Sequence, residues 1–427
     1  MTERLYSTDS FLMNFDAVVT DIQEVSRANG RSLWRVALDR SAFYPTGGGQ
    51  PNDLGKLIAI SRGGAELTAE IVDVEEDEHD EVWHHTVKPL VAGTRIHGVV
   101  DEARRLDHVQ QHSGQHLLSA ALIQICGART VSFHLGEAVS TIDLDVESLP
   151  ESTLEQVEDL ANRVIAEDRP VTVSVVAREK AERWLATGEL RKLPSRRDDL
   201  RIVEIADFDR NACGGTHVRS TGQIGGLHLR RLEKVKQGTR VEFVCGLRAS
   251  RSARNDFARL TESARLLSVG FEEMPKAIQR LQTDVKQAAK HTLRLANEIA
   301  QYQAAELIAQ TPMEAGLRLI KLQLSAADQV DAAYAKMLVS KIAAHAQQTV
   351  ALIAWNPNDP NLAATVVLSR SGDLDFDCGT VLRTTLTGHG GRGGGSKELA
   401  QGSVAPDRLQ TVMDDLRDRC RDFVSAK

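Results

Sequence analysis

The sequence predicts an α+β chain of several domains: a β-barrel-like N-terminal unit, an α+β unit, a helical coiled-coil linker and a C-terminal α/β unit. Three observations predict it. At 427 residues the chain is too long for one ordinary domain. Its first 105 or so residues alternate apolar and polar side chains at period two between glycine turns, and helical and strand-like patterns then take turns. Residues 250 to 310 hold no helix breaker beyond Gly270 and Pro275. An apolar content of 42% with 26% charged residues is the profile of a soluble globular chain, and with aromatics at 4% the cores must rest on Leu, Val, Ile and Ala.

In the first unit, residues 1–105, the stretches FDAVVTDIQEV, SLWRVALDR, GKLIAISR and AELTAEIVDVEE read as strands of a barrel or sandwich. Between them SAFYPTGGGQPNDLG, with three consecutive glycines and two prolines, reads as neither helix nor regular strand. The second unit, 106–249, opens with LDHVQQHSGQHLLSAALIQICG, a helix stopped by Gly127. VSFHLGEAVSTIDLDV, VTVSVVA and RIVEIADF follow as strands around a second helix that begins near Ser152. In the third, 250–310, Ile278, Leu281, Val285, Ala288, Thr292, Leu295, Ile299 and Tyr302 step by three and four, a heptad seam. An antiparallel hairpin with residues 250–268 as its first arm fits this seam; an intermolecular coiled coil, hence a homodimer, is the alternative. The fourth, 311–427, alternates RLIKLQLS, VALIAWN and AATVVLSR with a helix, then closes with the glycine-rich loop GHGGRGGGSK and a helix from Pro406.

The net charge of −7 does not announce nucleic-acid binding, so any phosphate contact must come from a local surface. Lys192, Arg196, Arg197, Arg201, Arg219, Arg230, Arg231, Lys234, Lys236 and Arg240 gather in one stretch, either as such a surface or as solvated strand edges and loops. Five scattered cysteines form no disulfide framework, no run approaches 18 apolar residues and the N-terminus lacks a signal-peptide pattern. These features point to the cytoplasm and away from the membrane.

Two ligand pairs carry the chemistry. His112 and His116 lie four apart on the predicted helix, so both project from one face, one turn apart. Cys213 and His217 are also four apart, around two glycines that let the backbone curl. Either pair alone is weak; together they make the Cys-plus-three-His set of tetrahedral zinc. His112 is followed by Ser-Gly-Gln, so the HExxH glutamate of a metalloprotease is missing.

HSGQHLLSAAL followed by CGGTHV resembles the editing domain shared by alanyl- and threonyl-tRNA synthetases and the freestanding AlaX-type editing proteins. FYPTGGGQPNDLG is similar to the glycine-rich motif that precedes that domain in the alanyl branch, and GHGGRGGGSKELAQG resembles the C-terminal DHHA1 domain. The resemblance implies hydrolysis of alanine tRNA wrongly charged with serine or glycine, at Zn2+ held by His112, His116, Cys213 and His217. The β-rich unit starts at the N-terminus, from which no aminoacylation is expected. Thr46 and Gln50 are expected to approach the substrate, and Gly47, Gly48 and Gly49 to bring backbone N–H groups to the terminal adenosine; a tight turn is the alternative. Gln115 points to substrate or to solvent, His134 to a pocket or the core, and His108 is a spare ligand or a surface residue. Arg392 and Lys397 in the C-terminal glycine-rich segment are expected to hold phosphates of the tRNA body, with oligomerisation the other option; GxxxxGK[ST] is absent. A rival of another class is a tRNA-binding or assembly module with structural zinc, because four protein ligands leave no open position.

Overall fold

The computed structural model describes the chain apart from residues 29–30, 61–63, 192, 194–198, 237 and 426–427, so Lys192, Arg196 and Arg197 lie outside the described residues. Contacts divide it into two compact units, Met1–Ser263 and Ala264–Lys427. It is a mixed α/β multidomain chain.

The first unit begins with β1 (Glu3–Arg4), β2 (Asn14–Ala28), β3 (Arg31–Leu38), β4 (Arg40–Ser41), β5 (Gly55–Ile60), β6 (Glu66–Glu76), β7 (Val82–Thr86) and β8 (Arg95–Val100). Six of them close a barrel in the order β2-β3-β7-β6-β5-β8, while β1 and β4 form a parallel pair. The alternation read in the sequence turns Phe15, Val19, Val36, Leu57, Ile71 and Val74 inward. Register shifts in β2 opposite β3, at Val19/Asp21 and Glu24/Ser26, supply bulges of the kind that bend a long strand around a barrel. β7 and β8 complete the closure and were not among the expected strands. VWHHT and RIHGVV are short, and their histidines blur the apolar pattern.

Next come α1 (Glu102–Cys126), β9 (Thr130–Leu135), β10 (Ser140–Leu144), α2 (Glu151–Ala166), β11 (Val171–Ala177), α3 (Arg178–Ala186), β12 (Asp199–Ile205), β13 (Asp209–Ala212), β14 (Leu227–Val235) and β15 (Gly238–Cys245). A four-stranded sheet runs β14-β15-β10-β9, and a three-stranded one β11-β12-β13. The Asp101 carboxylate caps α1 by accepting from the Arg104 N–H, and Gly127 ends the helix in the left-handed conformation. From His108 to Leu122 every residue of α1 is buried, so it is a central helix without a solvent face. Arg105, fully buried, pairs with the equally buried Asp53 of the barrel unit and donates to the Ser10 carbonyl at 2.8 Å and to the Ala42 carbonyl at 2.6 Å. That cluster fixes the helix to the barrel. The arginines of the basic stretch are largely neutralised: Arg219, Arg230, Arg231 and Arg240 pair with Asp9, Asp256, Glu233 and Asp143.

α4 (Gly246–Leu267) runs across the division between the units. The second unit contains α5 (Met274–Gln310), β16 (Arg318–Ser325), α6 (Ala332–His345), β17 (Thr349–Asn356), β18 (Ala364–Arg370), α7 (Cys378–Gly388), β19 (Arg392–Gly395), β20 (Leu399–Val404) and α8 (Leu409–Ser425). Its sheet is ordered β16-β17-β18-β20-β19, with β16 and β17 parallel. Helix α5 packs on α6 through Ala296, Ala300, Ala304 and Leu307, a face whose small residues allow close approach. Its heptad residues Ile278, Leu281, Val285, Leu295, Ile299 and Tyr302 are exposed.

The glycine-rich segment expected as a loop is instead the end of α7, the edge strand β19 and a tight turn. The reason is packing. A Cβ on Gly393 would stand 2.6 Å from Leu386 Cδ1 of α7, and one on Gly395 would collide with the Leu399 carbonyl. Glycine lets the edge strand lie flush against the helix and its neighbour. Arg392 is exposed on this strand and Lys397 in the turn after it.

Candidate metal centre and its cleft

Helix α1 brings His112 and His116 together one turn apart, with ring centroids 5.3 Å from each other. The segment after β13 carries Cys213 and His217 back onto that helix. Gly215 makes the approach possible, because a Cβ there would collide with the His112 imidazole. The four residues offer ligand atoms all within 4.8 Å of one another. Cys213 Sγ lies 3.4 Å from His112 Nε2 and 3.3 Å from His217 Nε2. A tetrahedron with metal bonds of about 2.0–2.3 Å has edges of about 3.3–3.6 Å, so both sulfur–nitrogen edges already have tetrahedral length.

Two of the three imidazoles are steadied from behind by hydrogen bonds. The Nδ1 of His112 lies 2.8 Å from Gln50 Oε1, which also accepts from the Thr216 N–H at 3.2 Å. Gln50 Nε2 donates to Thr216 Oγ1 at 2.9 Å, so one barrel-unit side chain clamps both ligand segments. His217 Nδ1 lies 3.2 Å from Ser113 Oγ, which accepts from the Val218 N–H at 3.1 Å. With Nδ1–H donating to Gln50 and Ser113, the Nε2 lone pairs of His112 and His217 are left toward the centre, the pattern that orients metal-binding histidines. His116 Nδ1 has the Asp209 carboxylate 3.7 Å away, and Asp209 is held by Arg191 at 2.7 Å.

Burial pushes the Cys213 thiol up, but His112, His217 and His116 more than reverse this and hold it well below its ordinary value. Burial likewise lowers His116, yet the Cys213 sulfur and Asp209 carry it up to about 9. His217 goes the other way: burial takes it down to about 3 against the pull of Cys213. The cluster favours a thiolate, the form in which cysteine binds metal.

A cleft of about 320 Å³ opens on His112 and Cys213. Its wall includes Thr46, Gly47, Gly48, Tyr44 and Arg201. Gly47 and Gln50 exchange backbone hydrogen bonds at 3.1 and 2.9 Å around Gly48 (φ 55°) and Gly49 (φ 83°), a hairpin turn that needs positive φ at both central residues. Phe133, whose ring centroid is 5.3 Å from that of His112, stands 2.7 Å from where a Gly49 Cβ would be. The Leu135 N–H donates to the Gly49 carbonyl at 3.2 Å, so the turn lies flat on β9. Tyr44 Oη donates to the Gly47 carbonyl at 3.0 Å and supports the turn from below.

The expected site residues therefore separate. Thr46 is exposed at the cleft, its hydroxyl 3.2 Å from the Asn52 N–H. Gly47 and Gly48 line the cleft, and Gly49, exposed, stands against the Phe133 ring. Gln50, expected to meet substrate, is buried behind His112 and grips that ligand instead. Gln115 meets neither substrate cleft nor solvent: it is buried and donates to Ser119 Oγ at 2.8 Å. His134 is exposed, neither pocket nor core. His108 is buried, outside the four-ligand group, and burial lowers it to about 4. Arg392 and Lys397 belong to the second unit. Sequence reasoning did not single out Ser113, Phe133 or Asp209, although Ser113 adjoins a ligand and Asp209 lies four residues before one.

The profile of the threonyl and alanyl tRNA synthetase second additional domain matches residues 200–242, which include Cys213 and His217. The alanine–tRNA ligase of Pyrococcus furiosus is 30% identical over 94% of this chain and 42% of its own length. Those of Thermococcus kodakarensis and Methanosarcina mazei are 30% and 28% identical over 94% and 96% of this chain, and 42% and 43% of their own. The chain thus spans less than half the length of these curated relatives. Among solved structures, the C-Ala domain of the Aquifex aeolicus alanyl-tRNA synthetase aligns with 26% of this chain and 96% of its own at 20% identity, with a TM-score of 0.23, below what a shared fold requires. No described helix is long and apolar enough to cross a membrane. The chain is thus similar, along nearly its whole length, to part of the alanine–tRNA ligases, and residues 200–242 match their second additional domain.

Proposed function

We propose that this protein hydrolyses the aminoacyl ester of mischarged alanine tRNA, removing serine or glycine in trans, at a zinc ion held by His112, His116, Cys213 and His217. The observation that supports it is that the ligand group and the glycine turn share one cleft, although Thr46 and Cys213 are far apart in sequence. Zinc fits the donor set, since one thiolate and three imidazoles within 4.8 Å of one another, two of the sulfur–nitrogen edges already at tetrahedral length, suit a borderline-soft ion. Bound there, zinc would supply a Lewis acid to the ester carbonyl or to water.

The chain's own residues do the rest. Gln50 and Ser113 hold two imidazoles in the ligating tautomer, and the thiolate of Cys213 faces the cleft with His112. Thr46, at the rim, offers a hydroxyl to the side chain of the amino acid. Thr46→Val is expected to change the ratio of serine to alanine hydrolysis about tenfold, the scale of one hydroxyl contact. Initial rates on seryl- and alanyl-tRNA(Ala) measure it, and an unchanged ratio demotes the turn to scaffolding. In the second unit, we assign the DHHA1-like sheet edge with Arg392 and Lys397 to the tRNA body, and the exposed seam of α5 to a homodimer.

The closed donor set favours a second reading, a structural ion in a non-catalytic tRNA-binding module, because four protein ligands fill a tetrahedron. Deacylation of seryl-, glycyl- and alanyl-tRNA(Ala), with and without chelator, separates the two. Metal-dependent release of serine or glycine, with alanine spared, is expected; no release by the zinc-loaded chain would establish the second reading.

A further inference from the structure

Two arginines line the cleft beside the metal group, Arg4 and Arg201, and they differ in what neutralises them. Arg4 is paired with Glu76 at 2.8 Å and Asp80 at 3.5 Å. Arg201 is half-buried and has no carboxylate partner among the described residues. Its Nε donates to the Ser7 carbonyl at 3.0 Å and its Nη1 to the Cys213 carbonyl at 2.7 Å. Carbonyls fix the guanidinium without cancelling its charge, and two bonds leave part of its five-donor fork unspent. Other arginines of the same stretch, Arg219, Arg230, Arg231 and Arg240, each have a carboxylate.

A half-buried cation held in place by carbonyls and paired with no carboxylate among the described residues, at the wall of a cleft, is built for an anion that arrives with the ligand. We propose that Arg201 is the phosphate-binding residue of this cleft and takes the 5′-phosphate of the terminal nucleotide of the charged acceptor end. This identity of the anion rests on the deacylase reading above. In the terminal nucleotide a ribose alone separates that phosphate from the 3′ ester. Arg201 bonds the carbonyl of the ligand residue Cys213 itself, so a phosphate on its guanidinium lies next to the metal group. Tyr6 and Tyr44, edge to face at 5.3 Å and almost fully buried, back the same wall.

Calorimetry on the full zinc-loaded chain tests this with two probes, adenosine and adenosine 5′-monophosphate. The parent is expected to bind the monophosphate about tenfold more tightly than the nucleoside, the scale of one charge-assisted pair. Arg201→Gln should bind both alike while keeping its zinc, and Arg201→Lys should keep part of the preference. A preference that survives undiminished in Arg201→Gln, or that the parent lacks, overturns the assignment. If Arg201→Gln loses zinc, Arg201→Lys decides: the loss of the fork should cut the preference at least about threefold, and an undiminished preference overturns it. Since binding is read and not hydrolysis, a chain that prefers the monophosphate yet releases no amino acid rejects only the catalytic reading.

Discussion

His116→Ala is expected to remove both bound zinc and deacylation. Loss of one outer partner of a metal ligand costs about 10–100-fold in affinity or activity, so loss of a ligand itself should cost at least roughly 100-fold. The predicted gradient is more telling than the single loss. Gln50→Ala leaves all four donors in place but frees the His112 ring and unties Thr216, so zinc should bind about 10–100-fold more weakly, with activity restored by excess metal. Zinc titration followed by deacylation of seryl-tRNA(Ala) measures both variants. Full zinc content with parent activity in His116→Ala would remove that residue from the site. Equal losses in the two variants, neither rescued by zinc, would mean that Gln50 acts on substrate and not through His112.

That gradient depends on a contact the sequence does not display. His112 and His116 are legible because a helix repeats every 3.6 residues and four positions bring two side chains to one face. Cys213 and His217 are legible because two glycines between ligand types mark a curl. Gln50 lies 62 residues before His112, and only the fold reveals that it backs the imidazole. Gln115 shows the converse error: its neighbour in sequence is His116, but a step of one residue turns about 100° around the helix, which brings it to Ser119.

The same limits govern the architecture. Period-two alternation exposed the barrel, whereas β7 and β8 are short and carry histidines that a barrel interior or rim accommodates only through particular partners. His84, fully buried, has Nδ1 3.0 Å from the Val36 carbonyl and Nε2 2.7 Å from Ser41 Oγ. The heptad of α5 was legible as a pattern but not as a partner, since Ala296, Ala300 and Ala304, weak in hydrophobicity, make the packed face. Glycine's low strand propensity pointed to a loop at 392–395, and packing against α7 overrode it.

Breaking the buried ion pair between Arg105 and Asp53 should be the most damaging change to the fold of the first unit. Asp53→Ala leaves a guanidinium with no exposure, no paired carboxylate among the described residues and the Ser10 and Ala42 carbonyls to solvate it. Removing one member of such a pair costs about 3–5 kcal/mol. At about 2–4 °C per kcal/mol for a unit of this size, melting should fall by roughly 6–20 °C. The damage should also reach the site. Asp53 Oδ2 accepts the Tyr44 N–H at 2.6 Å, Tyr44 Oη supports the Gly47 carbonyl, and Arg105 lies two turns before His112 on the same helix. The variant should therefore lose cleft geometry along with stability. Asp53→Asn, which keeps an acceptor and loses the charge, should fall between the parent and Asp53→Ala in both melting temperature and zinc affinity. Unchanged melting in Asp53→Ala would show that the two carbonyls and water suffice for Arg105. A drop in melting with undiminished zinc affinity would show instead that the barrel and the metal helix are joined independently of the glycine turn.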